Sequence, residues 1–250
     1  MGGIRCGNVI VKSNMIFRSP CLTELTDEDK RILDELKLDY IIDFRSEGER
    51  SADPDYIPEG TTYLHLPASQ SKGKLVVQPH AVADYVPSWL PASLCIKAFR
   101  WRFKRLYKKF PFNNSAYRKM FQLMDEGKVF LFHCTAGKDR TGVAAMLVLL
   151  ALGADFDTIM QDYLLSNVLR EKANEEYVKK FQKYPHFEKL KAIFKVALGV
   201  SPDLLQISYN AIIKKYGTVQ EYFLKEYGAD EQHIAVWRKT YTCPAKEQND

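Results

Sequence analysis

Residues 128–153, KVFLFHCTAGKDRTGVAAMLVLLALG, constrain the fold more than any other stretch of this chain. Residues 129–132 are apolar, too short for a helix and preceded by Gly127, which marks a buried strand. Residues 143–152 are apolar on every side and stop at Gly153, which marks a helix buried in the middle of the fold. Between them lies a loop that starts at Cys134 and ends at Arg140. A strand-to-helix turn aims several backbone N–H groups at one spot, and the helix dipole favours negative charge there. A cysteine facing that spot has its thiolate stabilised. Arg140 adds a planar fork of donors matched to two phosphate oxygens. Such a loop is both an anion cradle and an activated nucleophile, the minimum for taking a phosphoryl group onto sulfur.

A cysteine and an arginine six positions apart occur by chance in roughly one chain in five of this length. Requiring His133, Gly137, Thr141 and Gly142 as well lowers the odds by about five orders of magnitude on the same composition estimate. The competing structural reading is a buried cysteine beside a helix-capping arginine.

HCTAGKDRTG (133–142) resembles the signature loop of the cysteine-dependent protein tyrosine phosphatases. With Lys138 and Asp139 inside it, the loop is most similar to the bacterial tyrosine/lipid phosphatases that carry HCxxGKDRTG. MIFRSPCLTELTDED (15–29) and YIIDFRSEGER (40–50) fit that subfamily, with a weaker match in YGTVQEYFLKEYGADEQHIAVWRKTY (216–241). The resemblance leaves out roughly 70–112. It implies an α/β fold with a central parallel or mixed sheet flanked by helices, a cysteinyl-phosphate intermediate, and no metal or other cofactor.

In that mechanism the Cys134 thiolate attacks phosphorus. The N–H groups of Thr135, Ala136, Gly137, Lys138, Asp139 and Arg140, with the Arg140 side chain, hold the equatorial oxygens. Thr141 donates to the thiolate, and His133 hydrogen-bonds backbone and shapes the loop. An acid must protonate the leaving oxygen. Many tyrosine phosphatases carry that acid on a Trp-Pro-Asp loop, but here Trp89 is followed by Leu90-Pro91, and the nearest upstream acid is Asp84. The candidates are Asp139, then Asp43, then Asp84. Asp43 and Arg45 sit at a strand end, where ligands collect in α/β sheets. Either they cap the strand end and pair with Glu47 or Arg50, or Asp43 orients or protonates at the site while Arg45 contacts phosphate.

Phosphotyrosine is the first substrate expected, because a deep loop selects a long aryl ester, with phosphoserine and phosphothreonine also possible. Lys138 adds a second cation, which favours polyanionic head groups. A phosphoinositide or inositol phosphate is therefore the alternative, and the tumour-suppressor phosphoinositide phosphatases carry a similar Gly-Lys pair. A phosphate-binding pseudoenzyme and a rhodanese-type sulfur transferase are the rivals from other classes. Intact Cys134 and Arg140 argue against the first, and the Arg140-Thr141-Gly142 ending argues against the second.

The net charge of +5 comes from one place. Residues 97–109 hold seven basic side chains and no acid, and the rest of the chain is slightly acidic. As a helix, this segment places Phe99, Phe103, Leu106 and Phe110 on one face. It is then a solvated helix packing an aromatic stripe on the domain, a lid over the loop, or a surface for an anionic membrane. Nucleic acid is not expected, since no recognisable nucleic-acid motif is present.

Residues 1–250 read as one domain, with 70–112 an insertion or lid within it. Residues 9–12 and 15–18 read as a hairpin turning at Asn14. A helix capped by Thr26 places Ile32, Leu33 and Leu36 on one face, and strands follow at 39–44 and 61–66. A helix at 113–125 takes Ser115 as its cap. Asp155 caps another helix, 171–183 is a solvated helical face, and helices at 189–198, 202–216 and 218–227 stop at Gly199, Gly217 and Gly228. Five scattered cysteines without metal spacing, no apolar leader in MGGIRCGNVI and no run of ~18 apolar residues lead to an expected reducing, cytoplasmic setting. Secretion, by a non-classical route or through a removed signal peptide, is the remaining alternative.

Overall fold

Two short strands, β1 (Arg5–Cys6) and β2 (Val9–Val11), pair antiparallel at the start of the chain. The next strand, β3 (Ile16–Ser19), leaves that ribbon and joins a different sheet, so the expected hairpin at Asn14 does not form. Asn14 does adopt the left-handed turn conformation, with φ 60°. The turn redirects the chain, and β2 takes its second partner from the far end, β7 (Thr242–Pro244). The computed structural model describes residues 1–68, 89–183 and 186–245.

The second sheet is built from β3, β4 (Tyr40–Asp43), β5 (Thr62–His65) and β6 (Phe130–His133) in the order β3-β6-β4-β5. Every neighbouring pair is parallel. Parallel sheets are covered on both faces, which is why the central strand reads FLFH and all four of its residues are buried. The register aligns Ser19, His133, Asp43 and His65 in one row at the carboxyl ends. The loops that follow these strands therefore leave the sheet along one edge, where ligands collect in such folds.

Helices cover the sheet. The helix predicted after Thr26 is α1 (Asp27–Glu35), closed by a capping box between Thr26 and Asp29. It buries Leu33, while Ile32 turns outward. A short helix that the sequence reading did not foresee, α2 (Glu47–Ala52), opens with a second capping box between Ser46 and Glu49. The basic segment is α3 (Ala92–Tyr107), and α4 (Ser115–Asp125) follows it. Asn114, not Ser115, caps α4: its side chain accepts from the N–H groups of Ala116 and Tyr117 and donates to the carbonyls of Ala68 and Phe110. Side-chain donors are needed at Ala68 and Phe110, and serine has no amide to supply them.

Strand β6 leads through residues 134–139 into α5 (Arg140–Leu152), whose residues from Thr141 onward are all buried, and Gly153 ends it with φ 93°. The C-terminal half is helical, as expected: α6 (Phe156–Leu169), α7 (Glu171–Lys179), α8 (Phe187–Leu198), α9 (Pro202–Tyr216), α10 (Val219–Tyr227) and α11 (Glu231–Tyr241). Gly217 and Gly228 end their helices with positive φ, whereas Gly199 is extended. Phe121 of α4 packs against Phe223, Tyr227 and Trp237, which fastens the last two helices to the core. No helix among the described residues is long and apolar enough to cross a membrane.

Candidate active site

Cys134 follows β6 directly and is 2 % exposed. The loop after it curls back over the end of β3. At Gly137 φ is 65°, and a Cβ there would lie 2.5 Å from the carbonyl oxygen of Ser19 and 2.8 Å from the nitrogen of Pro20. Both neighbours are backbone and cannot yield, so only glycine closes this turn. Gly142 is required for a different reason: a Cβ would meet the Tyr163 ring at 2.9 Å. The Cys21 N–H donates to the Thr135 carbonyl at 3.2 Å and tethers the loop from the β3 side. The N–H groups of residues 135–139 donate to no acceptor among the described residues. They belong to the loop that enters the N-terminus of a 13-residue helix, the kind of place where anions bind.

Arg140 is oriented by a carboxylate that the sequence reading overlooked. Its Nη1 and Nη2 donate to Oε2 and Oε1 of Glu49 at 2.9 and 2.7 Å. Nη1 also reaches the Phe44 carbonyl at 3.2 Å, and Nη2 reaches the Thr135 hydroxyl at 3.3 Å. Glu49 thus occupies the end fork of the guanidinium. The side fork remains for a ligand: Nε–H has no acceptor among the described residues, and the second Nη2–H makes only the long bond to Thr135. Burial acts to raise the Glu49 carboxyl, but the bonds and charge of Arg140, followed by Thr135 and the Ser46 N–H, outweigh it and hold the pKa at about 2. Burial likewise works against the charge on Arg140, and the negative charge of Cys134 and Glu49 more than restores it.

Asp43 and Arg45 do not line the cleft. Asp43 is fully buried and accepts from the Arg45 N–H and Nε at 2.8 and 3.0 Å and from the Tyr63 hydroxyl at 2.6 Å. Burial opposes the Asp43 carboxylate, yet these bonds and the neighbouring His133 keep its pKa below the ordinary value. Arg45 pairs in addition with Asp55 and with the Asp53 carbonyl. The roles considered for them at the site, acid and phosphate ligand, are corrected: the pair is a buried brace behind the loop, and the partner of Arg45 beyond Asp43 is Asp55, not Glu47. His133 completes this brace. Its Nδ1 lies 3.3 Å from the Cys134 carbonyl and its Nε2 3.4 Å from Asp55 Oδ2. Burial is the main reason its pKa is lowered, so a neutral ring stands beside Cys134. Asp43, Asp55 and His133 are close enough together to suggest a metal site, but Arg45 already supplies the cation between the two carboxylates.

The cleft above the loop has a volume of about 560 Å³. Cys134, Thr135, Ala136, Lys138, Asp139 and Arg140 form its floor, with Ser46 and Glu49 beside them. Phe103, Leu106 and Phe110 of the basic segment form one wall, so the aromatic stripe expected on that helix faces the cleft. Arg170, Asn174 and Tyr177 also line the cleft, the last two in the stretch 171–183 expected to be a solvated helical face. Lys138 donates to the Gly199 carbonyl at 3.2 Å, pairs with Asp139 Oδ2 at 2.8 Å and lies 5.7 Å from the Phe103 ring centre. Asp139 Oδ1 accepts from the Tyr107 hydroxyl at 2.6 Å. Thr141 is buried, and its hydroxyl has no partner among the described residues, so the expected bond to the sulfur is not made in this state. Asp84, the third acid considered, lies outside the described residues, as does the loop at 69–73.

The signal for Glu49 was present in the sequence. Ser46-Glu-Gly-Glu49 has capping-box spacing, and Glu49 does accept from the Ser46 N–H at 2.8 Å. Its second role, holding Arg140 across 91 residues, depends on the sheet register. Asp55 and Tyr107 gave no local signal at all.

A buried cysteine, a run of unpaired loop N–H groups and a guanidinium with one open fork, at the carboxyl edge of a parallel sheet, are the parts of a cysteine-dependent phosphatase site. The profile of the tyrosine phosphatase family matches residues 1–243, and the chain belongs to that family. It is 31 % identical over 229 residues to a Cupriavidus necator protein described as a candidate tyrosine-protein phosphatase, covering 89 % of this chain and 78 % of that one. It is 28 % identical over 252 residues to the triple specificity protein phosphatase PtpB of Mycobacterium tuberculosis, covering 90 % and 89 %. The solved structure of Pseudomonas aeruginosa TpbA covers 81 % of this chain and 91 % of its own, but at 16 % identity and a TM-score of 0.31 the likeness is weak.

Proposed function

We propose that this phosphatase hydrolyses phosphotyrosine, and with it phosphoserine and phosphothreonine, in two steps through sulfur. The observation that carries the reading is the open side fork of Arg140 over the same cleft floor as Cys134. The equatorial phosphate oxygens lie on that fork and on the N–H groups of residues 135–139, which leaves the leaving oxygen in line with the sulfur across phosphorus. The Cys134 thiolate forms the S–P bond as the P–O bond to the leaving group breaks, and Asp139 protonates the departing oxygen. Water then attacks phosphorus, giving its proton to Asp139, and the thiolate leaves with inorganic phosphate as product. The cleft volume of about 560 Å³ and the triple-specificity name of the Mycobacterium tuberculosis relative support a range beyond aryl esters.

An inositol phospholipid at an anionic membrane is the second reading, favoured by the outward face of α3. Leu94, Trp101 and Arg105 follow one another at helical spacing there, with Lys97 and Lys108 alongside, and Trp101 is 64 % exposed with Arg105 stacked 5.5 Å from its ring centre. Exposed tryptophan among cations suits a lipid interface, and the same helix walls the cleft. The reading of residues 70–112 as a lid is supported by that wall as far as α3 extends.

The decisive test is Cys134→Ser. Turnover of phosphotyrosine peptide falls by at least ~10³-fold, the scale of a lost covalent step, while vanadate still binds and EDTA leaves the wild type unaffected. Metal-dependent turnover surviving in the serine variant would refute the mechanism.

A further inference from the structure

Tyr107 ends α3, is fully buried and does not line the cleft. Its ring packs edge-on against Phe110 and Tyr163, and its carbonyl accepts from the Ser208 hydroxyl of α9 at 2.7 Å. The phenol is therefore fixed from three elements. It has one proton, and that proton points at Asp139 Oδ1 across 2.6 Å. The contact of 2.7 Å with the Tyr163 hydroxyl must then have Tyr163 as donor. The result is a directed chain, Tyr163 to Tyr107 to Asp139, in which each bond polarises the next. Burial, followed by the charge of Asp139, pushes the Tyr107 phenol well up, so it stays a donor.

A carboxyl group has two oxygens that can carry its proton. At Asp139 they are not equivalent: Oδ1 faces the buried tyrosines, and Oδ2 faces Lys138, which lines the cleft. An oxygen already accepting a short hydrogen bond from a fixed donor is the poorer place for a proton.

We propose that Tyr107 is a positioning residue for proton transfer: by keeping Oδ1 an acceptor it confines the transferable proton of Asp139 to Oδ2, the oxygen on the cleft side. In the first step that proton passes from Oδ2 to the leaving oxygen as the P–O bond breaks. In the second step Oδ2 takes a proton from the attacking water. Lys138, 2.8 Å from Oδ2, moves onto the anionic substrate and frees that oxygen. Because Tyr107 belongs to α3, the helix that walls the cleft also sets the geometry of the acid. This inference rests on Asp139 as the proton donor.

Tyr107→Phe removes the hydroxyl and keeps the ring. On a phosphoserine peptide its kcat falls about tenfold further than on 4-nitrophenyl phosphate, a fraction of the ~10²–10⁴ that general acid–base catalysis contributes, and KM stays unchanged on both. Nitrophenolate leaves without a proton, so a merely structural loss moves both substrates alike. Combining Tyr107→Phe with Asp139→Asn costs nothing beyond Asp139→Asn alone on the phosphoserine peptide. Equal losses on the two substrates for Tyr107→Phe, with Asp139→Asn still discriminating between them, overturn the role of Tyr107 and leave Asp139 as the acid. No discrimination by Asp139→Asn overturns the acid itself. If Tyr107→Phe fails to fold, Tyr163→Phe shows the same discrimination in weaker form, and equal losses there refute the chain.

Discussion

Replacing Glu49 by glutamine tests how the cradle is held. The side chain keeps its length and one acceptor, but loses the charge that fastens the end fork of Arg140 at 2.7 and 2.9 Å. Glu49 titrates at about 2 in the fold against an ordinary 4.5, and its side chain is only 4 % exposed. That difference corresponds to roughly 3 kcal/mol of stability, close to the ~3–5 kcal/mol lost when one partner of a buried pair is removed. For a chain of this size the melting temperature of Glu49→Gln falls by about 6–12 °C at pH 7, at ~2–4 °C per kcal/mol. Because the folded pKa is depressed, the contribution is complete above pH 4.5 and disappears as pH falls towards 2. The gap in melting temperature between wild type and variant therefore narrows over that window. The kinetic effect is separate. A guanidinium released from its anchor no longer presents its side fork to phosphate, and a displacement of ~1 Å costs about 10²-fold in rate. Scanning calorimetry at several pH values, with kcat/KM for 4-nitrophenyl phosphate and vanadate inhibition at pH 7, reads both effects. An unchanged melting temperature together with unchanged kcat/KM would show that Glu49 neither stabilises the loop nor orients Arg140.

Gly137→Ala forces a side chain into 2.5 Å contact with the Ser19 carbonyl at a positive φ. The strain alone is ~1–2 kcal/mol, and steady-state kinetics should show at least a ~10²-fold loss in kcat/KM as the loop shifts; wild-type kinetics would mean the turn can open without harm. Arg105→Glu with Lys108→Glu reverses two exposed charges at the C-terminal end of α3 and at its cap while leaving the stripe that lines the cleft. Sedimentation with vesicles containing phosphatidylserine should show weakened binding, with the difference fading above ~0.1 M salt as charges beyond ~10 Å are screened. Equal binding by both proteins would remove the membrane from the account.

The local stretches of this sequence carried a great deal. The apolar run into His133-Cys134, the buried helix over 143–152, the Thr26 cap and the limits of α9 at Pro202 and Tyr216 are all set by residues within a few positions of one another. Backbone hydrogen bonds in a helix or turn span three or four residues, so their signals survive in the linear order. The cysteine and the arginine at the two ends of the loop were legible for the same reason: strand, loop and helix are contiguous. What tertiary structure decided was pairing. Residues 9–12 and 15–18 have the pattern of adjacent strands, yet β2 joins Thr242–Pro244 and β3 joins β6, because a strand's alternation states which face is apolar and not which neighbour it takes. Arg45 was a phosphate ligand or a capping residue on sequence grounds; burial beside Asp43 and Asp55 made it a brace. Arg140 could have met any carboxylate in the chain and met Glu49, and Asp139 met Tyr107 from a helix 32 residues away. Charge and hydrogen-bond partners act through space over a few ångströms, and only the sheet register and helix packing determine which residues come within that range.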